Sequence, residues 1–262
     1  MQKRHQDRRQ YFDEQVLTTR KYVIPYIERT MPVTAQTRVF EIGCGEGGNL
    51  LPFLERGCAC VGVDLLQTKI DLGKQYLAQV APGADVELII QDIYDASADR
   101  LGQFDLIMMR DVIEHIHEQE RFLRMVRRFL RPNGRIFFGF PPWRMPFGGH
   151  QQILQSKLSK LPWFHLLPAA AYRRLLRLAG EPEQYVNDLL EIKETGISIA
   201  AFTKLVRQTG YIVEQMDLYF LNPNYEVKFG LRPRKLPAPL GRLPWVKDFY
   251  TTCCYAIIHA SR

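Results

Sequence analysis

Residues 39–48 of this chain read Val39-Phe40-Glu41-Ile42-Gly43-Cys44-Gly45-Glu46-Gly47-Gly48. The stretch predicts a strand that runs into a glycine-rich turn. A second apolar run, 61–64, ends on Asp64, which follows Gly45 by 19 positions. A βαβ unit places an acidic residue about 20 residues after such a turn, where its carboxylate reaches ribose hydroxyls. The spacing therefore predicts a nucleoside pocket at the carboxyl ends of two adjacent strands.

The position of Glu41, two residues before Gly43, separates two kinds of nucleotide pocket. Dinucleotide oxidoreductases cradle a pyrophosphate on such a turn, and a carboxylate there would repel it. The segment instead resembles the E/D-x-G-x-G-x-G motif of class I, Rossmann-like S-adenosylmethionine-dependent methyltransferases of the small-molecule type. The resemblance implies S-adenosylmethionine as cofactor. It assigns the methionine end of the cofactor to Glu41, Gly43, Cys44, Gly45 and Gly47.

The resemblance also implies cofactor contacts after the next three strands. A carboxylate at the end of the second strand suits the ribose hydroxyls, and one after the third accepts a hydrogen bond from the adenine amine. The first residues after the fourth strand line the methionine part. The residues at these places are Asp64 and Leu65, Asp92 and Ile93, and Arg110 and Asp111. The resemblance covers residues 37–140 well and 196–221 loosely.

Strand and helix patterns alternate along most of the chain. This order predicts an α/β fold with a doubly wound, mostly parallel seven-stranded sheet and helices on both faces. The predicted strands are residues 37–42, 58–64, 86–91, 104–109, 135–140, 211–221 and 249–260. We predict one methyltransferase domain over 1–262, with an N-terminal helical segment at 1–36. Residues 141–195 and 222–248 break the pattern and are predicted to be a helical lid insertion and a proline-rich insertion.

Two histidines are candidates for acid–base chemistry. His150 follows Gly148 and Gly149, which would let the backbone approach a ligand, and a neutral imidazole can take a hydroxyl proton near pH 7. His115 is the weaker candidate, because a histidine at the start of a helix more often caps it. Either ring can instead have a purely structural role. Asp111, Glu114 and His115 have metal-ligand chemistry, but acids in a first helical turn also favour the helix dipole, and we predict no metal.

Charge and cysteine content restrict the partners and the compartment. The net charge of +7 comes from dispersed basic residues without a nucleic-acid module, so we do not expect a nucleic-acid partner. Five cysteines, an odd number without zinc-site spacing, predict a reducing cytoplasm. We expect neither a signal peptide nor a transmembrane span. Residues 158–178 mix apolar and basic side chains, which leaves peripheral membrane contact, a lid and core packing as alternatives.

These patterns together predict transfer of a methyl group from S-adenosylmethionine to a small or lipid-like acceptor. A hydroxyl oxygen is the preferred acceptor atom because His150 could take its proton. An RNA or DNA methyltransferase, a nicotinamide-dependent oxidoreductase and a catalytically inactive binding module remain as alternatives. The insertions carry no family resemblance, so the sequence identifies neither the acceptor nor the oligomeric state.

Overall fold

The computed structural model describes residues 7–261, and one mixed sheet forms the centre of the fold. The strands lie in the order β3-β2-β1-β4-β5-β8-β6-β7. Their bounds are β1 Arg38–Ile42, β2 Ala59–Asp64, β3 Val86–Ile90, β4 Phe104–Arg110, β5 Leu130–Phe140, β6 Tyr211–Leu221, β7 Arg234–Lys235 and β8 Cys253–Ala260. The first five strands pair in parallel, and β8 is antiparallel to both β5 and β6.

The predicted α/β, doubly wound fold is confirmed, with one strand more than expected. The additional strand, β7, has two residues and pairs with β6 at the edge of the sheet. So short a strand in a proline-rich segment has no apolar alternation that could mark it in the sequence. The last strand also begins later than predicted, because residues 246–250 form a helix. The carboxylate of Asp248 in that helix is buried and accepts from the Ile199 amide at 2.8 Å.

Helices cover both faces of the sheet. Their bounds are α1 Arg8–Thr18, α2 Ile24–Ile27, α3 Leu51–Leu54, α4 Gln67–Val80, α5 Ala98–Leu101, α6 Gln119–Val126, α7 Ala169–Leu178, α8 Glu183–Thr195, α9 Ile199–Gln208, α10 Asn224–Phe229, α11 Ala238–Arg242 and α12 Val246–Tyr250. A π-helical turn, Thr19–Val23, joins α1 to α2. Side-chain caps begin three of the α-helices: Asp7 accepts from the Gln10 amide before α1, Ser97 from the Asp99 amide before α5, and Ser198 from the Ala201 amide before α9.

The central strands are buried on both faces, and this explains their nearly continuous apolar sequence. Successive side chains of a strand point to opposite faces, so neighbouring residues enter different cores. Phe40 and Ile107 belong to one core cluster, whereas Val39 and Leu106 belong to the other. The order of the strands reverses between β1 and β4. In open parallel sheets the ligand crevice lies at such a reversal, outside the carboxyl ends of the strands.

Residues 141–195 leave the sheet after β5 and build a small core of their own. Tyr172 and Leu176 of α7 pack there with Val186 and Leu189 of α8. The Trp143 amide donates to the Ile197 carbonyl at 2.8 Å, so the two ends of the segment lie side by side. Its role as a lid stays a prediction. Within residues 7–261, no helix has both the length and the apolar character needed to cross a bilayer.

Candidate active site

The glycine turn forms one wall of the crevice and is fastened to β2. The amides of Gly43 and Cys44 donate to the Val63 carbonyl at 2.8 and 3.0 Å. Gly43, Gly45 and Gly47 all have positive φ values, which side chains adopt only at a cost. A Cβ on Gly45 would meet only the Lys69 side chain, at 3.9 Å, so space is open beside the Gly45 backbone. The turn can therefore admit a ligand close to its main chain.

Cys44 contributes backbone but not side chain to this wall. Its thiol is buried, and the Cβ of a side chain added at Gly62 would lie 2.7 Å from the Cys44 sulfur. Burial raises the pKa of the Cys44 thiol well above its ordinary value. The thiol is thus held protonated inside the fold, where it fills space as a small apolar group.

Glu41 lies beneath the turn in a buried polar network. Its Oε1 accepts from the Asn49 amide nitrogen at 2.7 Å, whereas its Oε2 has no hydrogen-bond partner within residues 7–261. Asn49 Oδ1 in turn accepts from Arg110 and from the Thr19 hydroxyl. Burial raises the pKa of Glu41 to about 8, against the opposing effects of Asn49 and Arg110. A buried carboxylate oxygen without a donor suits a cationic ligand.

Asp64 stands at the end of β2, where the sequence places a ribose acceptor. Oδ2 of Asp64 accepts from the Gly45 amide at 2.9 Å, and Oδ1 accepts from the Leu66 amide at 3.0 Å. Lys69 Nζ is 3.9 Å from Oδ2. Each carboxylate oxygen can accept a second hydrogen bond, so the side chain can still bind two hydroxyls. The same carboxylate thus shapes the turn and faces the crevice.

The predicted adenine contacts lie at the ends of β2 and β3. Leu65 is 67% exposed, as expected for an apolar side chain waiting for a ring to pack on it. Asp92 is exposed and caps a short 3-10 turn by accepting from the Tyr94 amide, while Ile93 is buried. Leu65 and Asp92 line the same open depression, together with residues 89–91. The structure therefore brings two of the three predicted adenine contacts to one surface and places Ile93 in the core beneath them.

The N-terminal helix covers the turn, which the sequence analysis did not anticipate. Arg8 forms an ion pair with the buried Glu46, with its Nε 2.6 Å from Oε1. The side chain of an alanine at Gly48 would collide with the Phe12 carbonyl. Burial, with Asp111 as the next cause, raises the pKa of the Tyr11 hydroxyl to about 12. The sequence predicts a helical segment here, but no spacing rule links a remote helix to a turn.

The second wall follows β4 and holds the candidate catalytic groups. Asp111 has a left-handed backbone, with φ 53°, and its amide donates to the Gly139 carbonyl at 2.8 Å. Glu114 is 2% exposed, and neither of its carboxylate oxygens has a hydrogen-bond partner within residues 7–261. His150 Nε2 lies 3.9 Å from Glu114 Oε1. The rings of His115 and His150 meet edge to face, with their centroids 4.9 Å apart.

The surrounding protein alters the protonation of this group. Burial raises the pKa of Glu114 well above its ordinary value, and Asp111 adds to that effect. Although the His115 side chain reaches solvent, desolvation by its neighbours lowers the pKa of its ring. The structure therefore unites both predicted histidines with a buried acid. The sequence indicates only that Glu114 has metal-ligand chemistry, and no sequence rule shows that His150 lies against it.

The two glycines before His150 pack against the protein itself rather than leaving room for a ligand. Gly148 packs against the Trp143 carbonyl and Gly149 against the His165 side chain, so neither position has room for a Cβ. His165 Nε2 lies 2.8 Å from the Trp143 carbonyl oxygen, and burial lowers the pKa of His165 to about 4. His150 itself has φ 53°. The glycines thus serve close packing within the loop, and this packing fixes where the His150 ring points.

The residues fit the cofactor that the sequence implies. An open backbone lies at Gly45, an unsatisfied carboxylate oxygen at Glu41 and an accepting carboxylate at Asp64, all along the top of β1 and β2. An exposed apolar side chain, Leu65, follows at the far end. This sequence of groups matches an amino acid end, a ribose and an aromatic base. The side chain of Glu41 is fully buried, so Glu41 would contact a ligand only from beneath the turn.

Comparisons with known proteins agree with this geometry. Residues 40–138 match the model of the family described as a methyltransferase domain. A ubiquinone biosynthesis O-methyltransferase of Bartonella tribocorum is 32% identical over 123 residues, which are 45% of this chain and 49% of the relative. A Rickettsia prowazekii protein is 28% identical over 171 residues, 63% of this chain and 64% of the relative. The chain thus spans about half to two thirds of the length of these relatives.

Solved structures extend the likeness to nearly the whole fold. PKMT2 from Rickettsia typhi in complex with AdoHcy superposes with a TM-score of 0.55 at 20% identity, over 93% of this chain and 54% of PKMT2. Magnesium protoporphyrin IX methyltransferase from Synechocystis with bound SAM gives 0.53 at 13% identity, over 92% of this chain and 78% of the other. Residues 40–138 therefore carry a methyltransferase domain, and the glycine turn and the strand order give the described chain the fold of the class I S-adenosylmethionine-dependent methyltransferases.

Proposed function

We propose that this chain transfers the methyl group of S-adenosylmethionine to a hydroxyl oxygen of a small or lipid-like acceptor. The observation that carries the oxygen preference is the group formed by Glu114, His115 and His150, which lies beside the turn at the end of β4. Such groups help an acceptor hydroxyl to lose its proton. Relatives named ubiquinone biosynthesis O-methyltransferases support the same atom.

The wall formed by the glycine turn binds the cofactor, and the wall after β4 activates the acceptor. When bound, S-adenosylmethionine supplies an electrophilic methyl group on a sulfonium. Asp64 accepts hydrogen bonds from the ribose hydroxyls, and the backbone beside Gly45 receives the amino acid end. His150 helps the acceptor hydroxyl to lose its proton. Because methyl transfer is an in-line displacement, the walls contribute mainly alignment and exclusion of water.

The insertion 141–195 is proposed as the acceptor-binding lid. It supplies His150, and the exposed Leu161, Trp163 and Leu167 give it apolar surface for a hydrophobic acceptor or for peripheral contact with a bilayer. We also place the chain in a reducing, cytoplasmic setting, a proposal supported by five cysteines that are all buried and free. The apolar surface of the insertion would select the acceptor.

Calorimetry followed by mass spectrometry tests the proposal. Purified protein should bind S-adenosylhomocysteine and not NADH, and incubation with S-adenosylmethionine and cell extract should add one methyl group to a metabolite. Binding of NADH without S-adenosylhomocysteine would instead identify an oxidoreductase. Methyl incorporation into the RNA fraction, with steeply salt-dependent binding, would shift the acceptor to nucleic acid. Cofactor binding without any methylated product would identify an inactive binding module.

A further inference from the structure

The buried carboxylate of Glu114 needs hydrogen-bond donors that residues 7–261 do not provide. It is buried to 2% exposure at the end of β4, and both of its oxygens lack a hydrogen-bond partner within residues 7–261. A charged group taken out of water without donors is strongly unfavourable, so native proteins pair it or supply a cation. When this carboxylate is charged, a cation that residues 7–261 do not themselves supply would complete the site.

Two imidazoles converge on the same carboxylate. One ligand atom from each of Glu114, His115 and His150 lies within 4.8 Å of the other two, and the Glu114–His150 pair is 3.9 Å apart. Ligands about 2.0–2.2 Å from a tetrahedral Zn²⁺ are about 3.4 Å from one another. Small side-chain rotations would close the difference. The set of two histidines and one carboxylate is a donor set that catalytic zinc sites use, with one position left open.

The backbone around these three residues is held before any ligand arrives. The Thr195 hydroxyl donates to the Glu114 carbonyl at 2.6 Å, and the Gln119 side chain donates to the carbonyls of Ile113 and Thr195 at 2.9 and 2.8 Å. The packed glycine loop fixes His150 from the other side. A metal site requires this kind of support, because ligands that must be ordered on binding lose affinity.

We propose that Glu114, His115 and His150 bind a divalent cation of the zinc class, contrary to the expectation of no metal from the sequence alone. The mixed nitrogen and oxygen ligands favour Zn²⁺ over Mg²⁺, which prefers oxygen ligands and retains its waters. A cation at this site would bind the oxygen of the acceptor hydroxyl and favour loss of its proton to water. His150 would then act as a ligand, and the acidity would come from the cation.

The test measures metal binding in the absence of cofactor and acceptor. Tag-free protein is stripped with a chelator and titrated with Zn²⁺ against a chromogenic competitor, with Mg²⁺ in parallel. We expect one Zn²⁺ per chain, a higher Tm with Zn²⁺, and weak or no response to Mg²⁺. Glu114→Gln, His115→Asn and His150→Asn should each weaken Zn²⁺ binding by more than about tenfold.

His117→Asn is the matched control. His117 lies two positions from His115 and pairs with Glu191 at 3.2 Å, an exposed pair outside the three-residue group. Its affinity for Zn²⁺ should equal that of the wild type. The proposal is overturned if the wild type shows no saturable binding, or if folded variants bind Zn²⁺ as tightly as the wild type. Should Glu114→Gln fail to fold by circular dichroism, the His115→Asn variant, with its exposed side chain, decides alone.

The same protein samples distinguish a failure of the metal site from a failure of the methyltransferase proposal. Calorimetry with S-adenosylhomocysteine is run on the stripped protein. Binding of S-adenosylhomocysteine without Zn²⁺ binding overturns the metal site and leaves the methyltransferase proposal standing. Binding of Zn²⁺ without S-adenosylhomocysteine supports the metal site and removes the methyltransferase proposal.

Discussion

The carboxylate of Asp64 accepts from the amide of Gly45 at 2.9 Å, so the acidic residue at the end of β2 and the glycine turn after β1 form one unit. The second oxygen of Asp64 accepts from the Leu66 amide at 3.0 Å. A ligand that bonds to Asp64 therefore meets a side chain whose direction is already set. Such prior ordering reduces the entropy that binding must otherwise overcome.

Asp64→Ala should weaken binding of S-adenosylhomocysteine by about 1–3 kcal/mol, because charge-assisted hydrogen bonds to the ribose are lost. It should also lower Tm, since the amides of Gly45 and Leu66 lose their acceptor. Calorimetry and thermal denaturation measure the two effects. Asp71→Ala is the control: Asp71 accepts from Gln67 on the exposed surface of α4, and both measurements should stay at the wild-type values. Equal affinities for wild type and Asp64→Ala would place the ribose elsewhere.

Gly43→Ala should destabilise the fold and the cofactor site together. Gly43 has φ 73°, and a Cβ there would lie 2.5 Å from Cγ2 of Val112, across the crevice. Left-handed strain and overpacking together should reduce the free energy of unfolding by about 2–4 kcal/mol. Urea denaturation measures this loss, and calorimetry with S-adenosylhomocysteine measures the accompanying fall in affinity.

Gly83→Ala separates the two causes. Gly83 has φ 78°, yet nothing lies within 4 Å of the place that an added Cβ would take, so only the backbone strain of about 1–2 kcal/mol applies. The double variant Gly43→Ala/Val112→Ala should recover the steric part of the loss. If Gly43→Ala is no more destabilising than Gly83→Ala, Val112 does not contact the turn in solution.

The stability of the ligand-free protein should fall with rising pH because of Glu41. Burial raises the pKa of Glu41 in the folded state from 4.5 to about 8. The native state thus keeps a proton that the unfolded chain releases between these values, and the free energy of unfolding decreases as pH rises from about 4.5 to about 8. Denaturation of wild type and Glu41→Gln across this range measures the effect, with the variant showing the flatter profile.

Glu87→Gln serves as the control for this profile. Glu87 is exposed and pairs with Arg100 at 3.2 Å, and its replacement should leave the pH profile of the wild type unchanged. A Glu41→Gln profile that is parallel to that of the wild type would mean that Glu41 keeps an ordinary pKa in the folded protein.

His150→Asn should lower the rate of methyl transfer by about 10²–10⁴-fold, because the acceptor hydroxyl loses the group that helps to remove its proton. Affinity for S-adenosylhomocysteine should remain unchanged, since the proposed cofactor site lies along β1 and β2. Rates with radiolabelled S-adenosylmethionine and calorimetry provide the two values. His117→Asn should match the wild type in both. A wild-type rate of methyl transfer in His150→Asn would mean that the His150 ring takes no part in the reaction.

Local patterns were sufficient to predict most of the strands and the glycine turn, although β5 begins at Leu130 rather than at residue 135. β6 begins and ends at the predicted residues, 211–221, and β1 to β4 agree within one residue at each end, because apolar runs bounded by turn residues carry their own signal. Asp64 and the glycine turn could be related because a βαβ unit fixes the distance between them. The contacts of Glu41 with Asn49 and Arg110 depend on side-chain packing, which no periodicity encodes.

The second wall could not be assembled from the sequence for a different reason. His150 and Glu114 are 36 positions apart, and only the path of the segment after β5 brings them together. Helix α1 covers the glycine turn for the same reason, because tertiary packing brings Arg8 to Glu46. Likewise β7 arises from the position of its residues beside β6 rather than from a strand pattern of its own.

The hydrogen bond from the Thr195 hydroxyl to the Glu114 carbonyl joins the end of the insertion to the wall after β4. A chimera that grafts another insertion between β5 and α9 would therefore disturb the reaction centre as well as the choice of acceptor. Under the proposed function, acceptor range and turnover would therefore be coupled through this contact. An evolving enzyme of this architecture would have to change both by compensating steps rather than by exchanging one module.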